Sequence, residues 1–546
     1  MIRRLGVSLV LSLALLGFIG LLAPPAEAQP KVTINGVIQV KGNVADNAGT
    51  FDGDYAIETN DHYWQNSMRG VLTVTGEMSP NLKGVFAFEY DVNLGQIRDC
   101  GVSNLGGNPA AAAAGTCSPG RAGISGGSSL GTDVMGIQEL KHAYIDFKVP
   151  MAPARVKAGL FPVFTTLKLG NLLFGDVPGA DVNVTFNDML SGYFLFVQIE
   201  EHLGGGTSAP LGAAGGGFPR GDDYAMLGSM RITPMKGVTI LPLVAYEKIS
   251  GSTQAATRTM VGAVPNAEQR WYFGVDASVK IGNFSIDPTF IYLAGKRDWT
   301  TTVAAGAAGN GGAACIAGIT CSDSDIRSFL ADLRGSAQFG PLRLQGIFQY
   351  VPGNKAADVA ASAAPSAANG GGYSGGGKTV KYFNNIFVDP TQNLGWSSLI
   401  HLSDLGDNVG GNGYLYAPVG TNMMWQPSYG PWGAMFIAGR ADYSVTPALI
   451  GRLVVGGRWA AEKVDVSCGP LVFAACDGTG EERYLGTEVN VGGLYQIYPG
   501  LNVDAIFGYL FTGDGFAHGC PAGGGVVAAC EPKNAWQFGY KLLYSF

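Results

Sequence analysis

Short segments in which large apolar residues alternate with polar ones recur along almost the whole chain. In residues 270–281, Trp271 and Phe273 occupy one set of alternate positions, while Arg270 and Asp276 occupy the other. Successive side chains of a β-strand point to opposite faces, so this period indicates strands with one apolar and one polar face.

The alternation predicts about eighteen strands, within a range of sixteen to twenty. The sixth, residues 181–186, is short enough to belong to a loop instead. A hairpin within residues 380–402 would add two strands, unless this stretch is a folded loop. The predicted strands are residues 32–40, 66–77, 82–92, 137–149, 155–163, 181–186, 189–200, 224–233, 238–248, 270–281, 284–295, 326–338, 342–351, 432–445, 448–463, 483–497, 501–512 and 534–546.

The connections between these segments alternate in length. Short turns such as residues 79–81, 282–283 and 499–500 alternate with long connections rich in Gly, Ala, Ser and Asn. Short turns on one rim and long loops on the other are typical of an outer-membrane β-barrel. Because hydrocarbon offers no water to an unpaired backbone, the strands must close into a ring without an edge. We therefore predict an all-β fold, a closed antiparallel transmembrane β-barrel with short periplasmic turns and long extracellular loops.

The composition separates such a barrel from a soluble β-sandwich or propeller, whose strands would also alternate. Charged residues make up 14% of the chain, against about a quarter in ordinary soluble proteins, and hydrophobic residues make up 47%. A soluble sheet of this size would need more charge on its exposed face. No apolar run of membrane-spanning length follows residue 29, so transmembrane helices are not expected.

Residues 1–28 form a separate segment. Arg3 and Arg4 precede a long apolar run, and Ala26-Glu27-Ala28 follows it, which predicts a cleaved secretory signal peptide and a barrel over residues 29–546. An uncleaved anchor helix is the alternative. Removal of the segment changes the net charge from −7 to −8, which leaves no basic excess for nucleic acid.

Eight cysteines fall as four local couples, all in long connections. No couple has the spacing or the neighbouring histidines of a zinc site, and no haem-attachment motif is present. We expect disulfides that staple the loops of an exported protein, with a redox role as the alternative, and no metal or cofactor. The candidate disulfides join Cys100 with Cys117, Cys315 with Cys321, Cys468 with Cys476, and Cys520 with Cys530.

The chain resembles the bacterial outer-membrane porins, which include general-diffusion and substrate-selective members. The resemblance rests on the signal peptide, the alternating strands, the sorted connections and an ending at Tyr544-Ser545-Phe546. Residues 143–148 and 155–162, joined by a proline turn, look like the fourth and fifth strands of substrate-selective porins. The resemblance implies a water-filled channel for passive diffusion of ions and small hydrophilic solutes, a homotrimer in outer-membrane lipid, and a role for Tyr544 and Phe546 as a signal to the outer-membrane assembly machinery.

The resemblance also implies a third loop folded into the lumen, here residues 164–181 with Lys168, Asp176 and Asp181 as candidate constriction residues. The Pro-Glu-Phe-Gly motif of the constriction loop in general porins is missing from this stretch.

If the apolar faces meet lipid, the polar faces line the lumen. The candidate pore-lining residues are Arg69, Lys83, Lys141, Arg155, Lys157, Arg440, Arg452, Arg458, Glu89 and Asp442. Glu247, Arg270, Asp332 and Asp504 lie on the same faces. Because basic and acidic residues are nearly balanced there, the wall as a whole predicts no strong ion preference.

Two other functions remain open on sequence grounds. The disulfide-stapled loops of a closed barrel would serve a structural or interaction protein that forms a lattice or binds a partner. An outer-membrane enzyme is the weaker alternative, since only Asp61-His62 pairs a histidine with a carboxylate on a rim, and adjacent strand residues point to opposite faces. We do not expect an enzyme.

Overall fold

The computed structural model describes the chain in a series of stretches separated by gaps in the long connections. These stretches are residues 30–46, 62–94, 137–164, 171–200, 223–249, 267–298, 324–358, 379–388, 432–465, 479–516, 519–522, 525–529 and 532–546. No helix among these residues has the length and apolarity needed to cross a membrane.

Strands account for nearly all of the described chain. They are β1 (Lys31–Asp46), β2 (His62–Ser79), β3 (Leu82–Leu94), β4 (Ile137–Lys148), β5 (Ala154–Phe164), β6 (Leu173–Asn187), β7 (Leu190–Glu200), β8 (Asp223–Met235), β9 (Val238–Ile249), β10 (Ala267–Ile281), β11 (Phe284–Asp298), β12 (Ser324–Phe339), β13 (Leu342–Val351), β14 (Thr379–Val380), β15 (Phe387–Val388), β16 (Ala434–Thr446), β17 (Leu449–Val464), β18 (Glu482–Tyr498), β19 (Leu501–Thr512), β20 (Gly519–Ala522), β21 (Gly525–Ala529) and β22 (Ala535–Ser545).

Eighteen of these strands form a closed antiparallel ring. β20 and β21 make a separate two-stranded sheet, and β14 and β15 are two-residue strands attached to the main sheet. The remaining strands pair in chain order, and β1 pairs with both β2 and β22. The prediction of a closed barrel of about eighteen strands is therefore confirmed.

The sixth strand differs from its prediction. β6 begins at Leu173 and pairs with β5 as far back as the Phe164–Phe174 couple, so most of the predicted loop 164–181 belongs to two strands. The first part of this strand, before residue 181, was not predicted because residues 173–177 are buried or nearly so on both faces, which removes the alternation. For residues 380–402 the sequence left open an additional hairpin or a folded loop. The described residues of this stretch, 380–388, contain no strand of the ring and lie in β14, β15 and the segment between them.

The outer and inner faces of the barrel have different side chains. Trp271 and Phe273 on β10 are 45% and 49% exposed on the outside, whereas Tyr272 and Asp276 are buried on the inside. This arrangement matches the assignment of the apolar face to lipid.

The inside is not uniformly polar, however. Toward the rim that bears the long connections, many inward positions of β7 to β12 are apolar and pack into an interior core, which the simple alternation did not predict. This core includes Leu195, Val197, Leu227, Leu243, Ile291, Leu293 and Leu330.

The ring closes where β22 meets β1. The N–H of Gly36 donates to the carbonyl of Phe546 at 2.9 Å, and the N–H of Phe546 donates back at 3.0 Å. The Phe546 ring covers Gly36 so closely that an added Cβ would lie 2.1 Å from Cζ. The Tyr540 ring likewise covers Gly42 and donates its hydroxyl proton to Asn66 Oδ1 on β2 at 2.7 Å. Two aromatic rings of the last strand therefore sit on two glycines of the first.

We expect Gly42→Val to weaken this seam. A Cβ at residue 42 would lie 2.5 Å from the Tyr540 ring and 2.2 Å from Asn66 Oδ1, so the ring must leave and its hydrogen bond is lost. Overpacking of this kind costs about 1 to 3 kcal/mol. The temperature at which the folded barrel loses its distinct mobility on SDS gels should fall, and adding Tyr540→Ala should restore part of the loss. Gly76→Val is the control, because a side chain there meets open space; an equal fall in both valine variants would contradict the assignment.

Candidate functional site

A ten-residue segment, residues 379–388, crosses the interior of the barrel and is called the strap below. At one end β14 pairs in parallel with residues 325–326 of β12, and at the other β15 pairs in parallel with residues 173–174 of β6. β6 and β12 lie six places apart in the ring of eighteen strands. The strap therefore spans the lumen from one wall to another.

Each end of the strap is held by further hydrogen bonds to its backbone. Asn354 donates from Nδ2 to the Thr379 carbonyl at 2.8 Å and accepts at Oδ1 from the Lys381 N–H at 2.9 Å. The Ile386 N–H donates to the Leu172 carbonyl at 2.8 Å. One amide side chain thus pairs the strap backbone on both sides of Val380, as a neighbouring strand would.

The middle of the strap is bound by the inner wall. Tyr272 on β10 donates its hydroxyl proton to the Asn384 carbonyl at 3.1 Å, and Arg270 Nη1 donates to the Asn385 carbonyl at 3.5 Å. Both wall side chains point inward, because the alternating residues Trp271 and Phe273 are exposed on the outside. The strap is therefore inside the barrel and not above its rim.

Behind these contacts lie four charged side chains, called the ionic bracket below: Glu247, Glu268, Arg270 and Arg297. Arg270 Nη1 is 3.0 Å from Glu247 Oε2, its Nε contacts Glu268 Oε1, and Arg297 Nε is 2.6 Å from Glu268 Oε2. All four are fully buried. Two carboxylates and two guanidiniums satisfy one another, which a buried charge requires.

Aromatic residues of the strap complete the contact with the wall. The Tyr382 hydroxyl oxygen accepts from Arg297 Nη1 and Nη2 at 3.3 Å, and burial holds the pKa of Tyr382 above its ordinary value, so the phenol stays neutral. The Phe383 ring meets the Tyr272 ring edge to face with centroids 6.1 Å apart. These contacts join the strap to the interior apolar core.

The sequence prediction missed half of the ionic bracket. Glu268 and Arg297 fall two residues beyond the predicted strands 270–281 and 284–295. The available signal was the two-residue spacing of Glu268 and Arg270, which places both side chains on one face of a longer strand.

A second segment enters the lumen just before β6. Asn171 donates from Nδ2 to Asp332 Oδ2 at 3.3 Å and accepts at Oδ1 from Gln349 Nε2 at 3.0 Å. Asp332 and Gln349 belong to β12 and β13, six and seven places from β6, so this contact also crosses the interior. Of the predicted constriction residues, Lys168 lies outside the described residues. The prediction that Asp176 and Asp181 belong to a loop folded into the lumen is wrong, since both lie on strand β6.

Several candidate pore-lining residues meet in an ion-pair cluster between β2, β3, β4 and β6. Lys141 Nζ is 2.7 Å from Glu89 Oε2 and 3.1 Å from Asp176 Oδ2, and Arg69 Nη2 is 3.1 Å from Glu89 Oε1. His142 Nε2 is 2.8 Å from Asp176 Oδ1. Consecutive residues of a regular strand point apart, but the register shift opposite residues 87 and 88 of β3 lets Lys141 and His142 reach the same carboxylate.

A second group lies nearer the short turns. Lys83 and Arg155 both pair with the buried carboxylate of Asp146, and Lys157 Nζ is 3.6 Å from Asp181 Oδ2. Arg155 and Lys157 keep 38% and 31% of their side chains exposed, so their charges remain in contact with solvent.

A third group follows the inner face of β16, β17 and β19. Asp442 Oδ2 lies 2.8 Å from Arg440 Nε, and Asp442 Oδ1 lies 3.2 Å from Arg452 Nε. Arg452 Nη1 is in turn 3.5 Å from Asp504 Oδ2. Arg458 is buried farther along β17, opposite Phe436 in the register. The three groups together contain every candidate pore-lining residue except Arg458.

The remaining site predictions have different outcomes. Cys520 alone among the cysteines falls in the described chain, in β20, so the four pairings stay predictions. Tyr544 and Phe546 lie at the outer face of the seam with their rings 5.6 Å apart. Their role in assembly also stays a prediction. No group of three or more His, Cys, Asp or Glu side chains within the described stretches is arranged to hold a metal ion.

Comparisons with known proteins give structural similarity only. No family model matches the sequence, and no curated protein matches it. Pseudomonas aeruginosa OccK5 (OpdH) is 10% identical, with 94% of this chain and 98% of that chain covered and a TM-score of 0.44. Acinetobacter baumannii OccAB4 is 11% identical (96% and 100% covered, TM-score 0.44), and the outer membrane protein opdK from Pseudomonas aeruginosa is also 11% identical (94% and 99%, 0.44). These identities are too low to transfer the role of any residue.

We expect Lys141→Met to destabilise the barrel far more than Lys157→Met. Removing Lys141 leaves the buried Glu89 and the partly buried Asp176 with fewer partners, at a cost on the order of 3 kcal/mol. Lys157 is about one-third exposed and its pair is long, so its loss should cost at most about 1 kcal/mol. Urea unfolding in detergent micelles, followed by tryptophan fluorescence, measures the free energy of unfolding of both variants. Equal losses of unfolding free energy would show that the ion pairs of Lys141 stabilise the barrel no more than the pair of Lys157.

Proposed function

We propose that the protein is an outer-membrane porin whose water-filled channel passes ions and small hydrophilic solutes by passive diffusion. The observation that carries this proposal is the closed ring of eighteen antiparallel strands, with an apolar outer face and many charged side chains on its inner face. A ring of this size is too wide for its wall side chains alone to fill, so it encloses a lumen. The charged groups on the inner face favour water and small polar solutes there.

The channel of this proposal is narrowed by two segments, the strap and residues 171–172. The strap joins β6 to β12, which lie six places apart in the ring. Asn171, just before β6, bonds to Asp332 on β12 and so crosses the same distance. Hydrogen bonds from Tyr272 and Asn354 to strap carbonyls support the position of the strap.

Further parts of the proposal rest on the resemblance to porins. The chain would form a homotrimer in outer-membrane lipid, after export and delivery to the assembly machinery through its last residues. The interior supports a channel over a structural barrel, because ion pairs line it on several walls.

Conductance of the purified protein in planar lipid bilayers tests the channel. We expect discrete, steady steps with a linear current–voltage relation, because the inner wall is charged and the strap is held in place. Protein that retains its folded mobility on SDS gels but gives no steps would contradict the porin proposal and favour the structural or interaction barrel.

Ion selectivity tests the half-exposed charges near the short turns. Arg155→Ala and Lys157→Ala each remove a cation from a lumen group whose carboxylates, Asp146 and Asp181, remain. The reversal potential in a salt gradient should therefore shift toward cation selectivity. Arg327→Ala is the control, since the Arg327–Asp325 pair is well exposed on β12 and apart from these groups. An unchanged reversal potential in both lumen variants would sink the idea that they select ions.

A further inference from the structure

We infer that Asn354, Tyr272 and the ionic bracket are positioning groups that fix the strap across the lumen and thereby set the width of the channel. The second half of this inference rests on the proposed function, whereas the first half concerns the fold alone.

The strap needs such groups because its connections to the rest of the chain do not by themselves fix its position in the lumen. It lies within the long connection between Val351 and Ala434, and only two residues at each end pair with a strand of the ring. Confining a segment in the middle of so long a connection has a large entropic cost. The bonds from Asn354, Tyr272 and Arg270 to strap backbone atoms offset that cost.

The chemistry of the wall supports the same assignment. On the neighbouring strand β11, the residue opposite Tyr272 is Leu293 and the residue opposite Arg270 is Gly295. Neither of them has a polar side chain. An apolar wall is therefore possible here, and replacing a buried ion pair by apolar residues is often neutral or stabilising. An apolar wall would, however, leave the carbonyls of Asn384 and Asn385 without these partners. The hydrogen bonds to the strap therefore explain why Tyr272 and Arg270 occupy this part of the wall.

The ionic bracket contributes by fixing the orientation of these donors. Glu247 Oε2 lies 3.0 Å from both the Tyr272 hydroxyl oxygen and Arg270 Nη1, so it holds the two strap-binding groups side by side. The single hydroxyl proton of Tyr272 is shared between Glu247 and the Asn384 carbonyl. Glu268 joins Arg270 to Arg297, and Arg297 reaches the Tyr382 hydroxyl at the other side of the strap. A chain of paired charges therefore links three contact points on the strap.

The test uses variants that remove strap contacts without leaving a buried charge unpaired. Asn354→Ala removes two hydrogen bonds to the strap backbone. Tyr272→Phe keeps the ring and removes the hydroxyl that contacts the Asn384 carbonyl and Glu247, while Glu247 keeps its pair with Arg270. Both single variants and the double variant would be prepared. The matched control is Asn183→Ala with Tyr193→Phe, because these two residues are cross-strand partners on β6 and β7 and Asn183 bonds Asp181 instead of the strap.

Hydrogen–deuterium exchange followed by mass spectrometry reports the position of the strap, and bilayer conductance reports the width of the channel. In the double variant, exchange of the amides in residues 379–388 should accelerate roughly tenfold, and single-channel conductance should rise roughly twofold or more. The control pair should change neither quantity. Folded mobility on SDS gels verifies that each variant keeps its barrel.

Each other result overturns part of the inference. Unchanged exchange in the double variant would show that these groups do not position the strap. Faster exchange with unchanged conductance would show that the strap does not set the width. If the wild-type protein forms no channels, the porin proposal fails, and the exchange measurement alone still decides whether Asn354 and Tyr272 hold the strap.

Discussion

The structure depends on one constraint: every backbone N–H and C=O group inside a bilayer must find a partner within the protein. A sheet meets this constraint only by closing into a ring. The other seventeen strand pairings are therefore stable in a bilayer only if β1 pairs with β22. At that seam the last strand adds side-chain contacts to the backbone ladder. Gly36 and Gly42 leave room for the Phe546 and Tyr540 rings, and the Tyr540 hydroxyl reaches past β1 to Asn66 on β2. Closure is thus secured across three strands instead of two.

The same constraint explains the interior. A segment that leaves the ring and crosses the lumen loses the neighbours that pair the backbone of a strand. Asn354, Tyr272 and Arg270 supply donors and acceptors in their place, and paired carboxylates keep the buried guanidiniums neutralised. The polar interior network and the apolar core around it therefore belong together, because the core excludes the water that would otherwise compete for these bonds.

The sequence predicted what depends on local alternation. The eighteen strands, their short turns and the outward position of residues such as Trp271 and Phe273 follow from a period of two along each segment. It did not predict what depends on distant contacts. Residues 173–177 of β6 lack alternation because they are packed from both sides. Most of the strap falls in a stretch that the sequence left open between a hairpin and a folded loop. Lys141 and His142 share Asp176 only because of an irregular register with β3, which no strand period reveals.

The distribution of charge inside the barrel follows from how deeply each group is buried. In the ionic bracket the charges are fully buried, and there a charge without a partner has a large desolvation cost, so pairing is a condition of folding. In the group of Arg155 and Lys157 the two basic side chains keep solvent contact although their carboxylate partners are buried, and loss of either basic side chain should have little effect on stability. Groups of the second kind can change without loss of the fold. Substitutions of Arg155 and Lys157 should therefore cost less stability than substitutions in the bracket, whose residues also contact the strap.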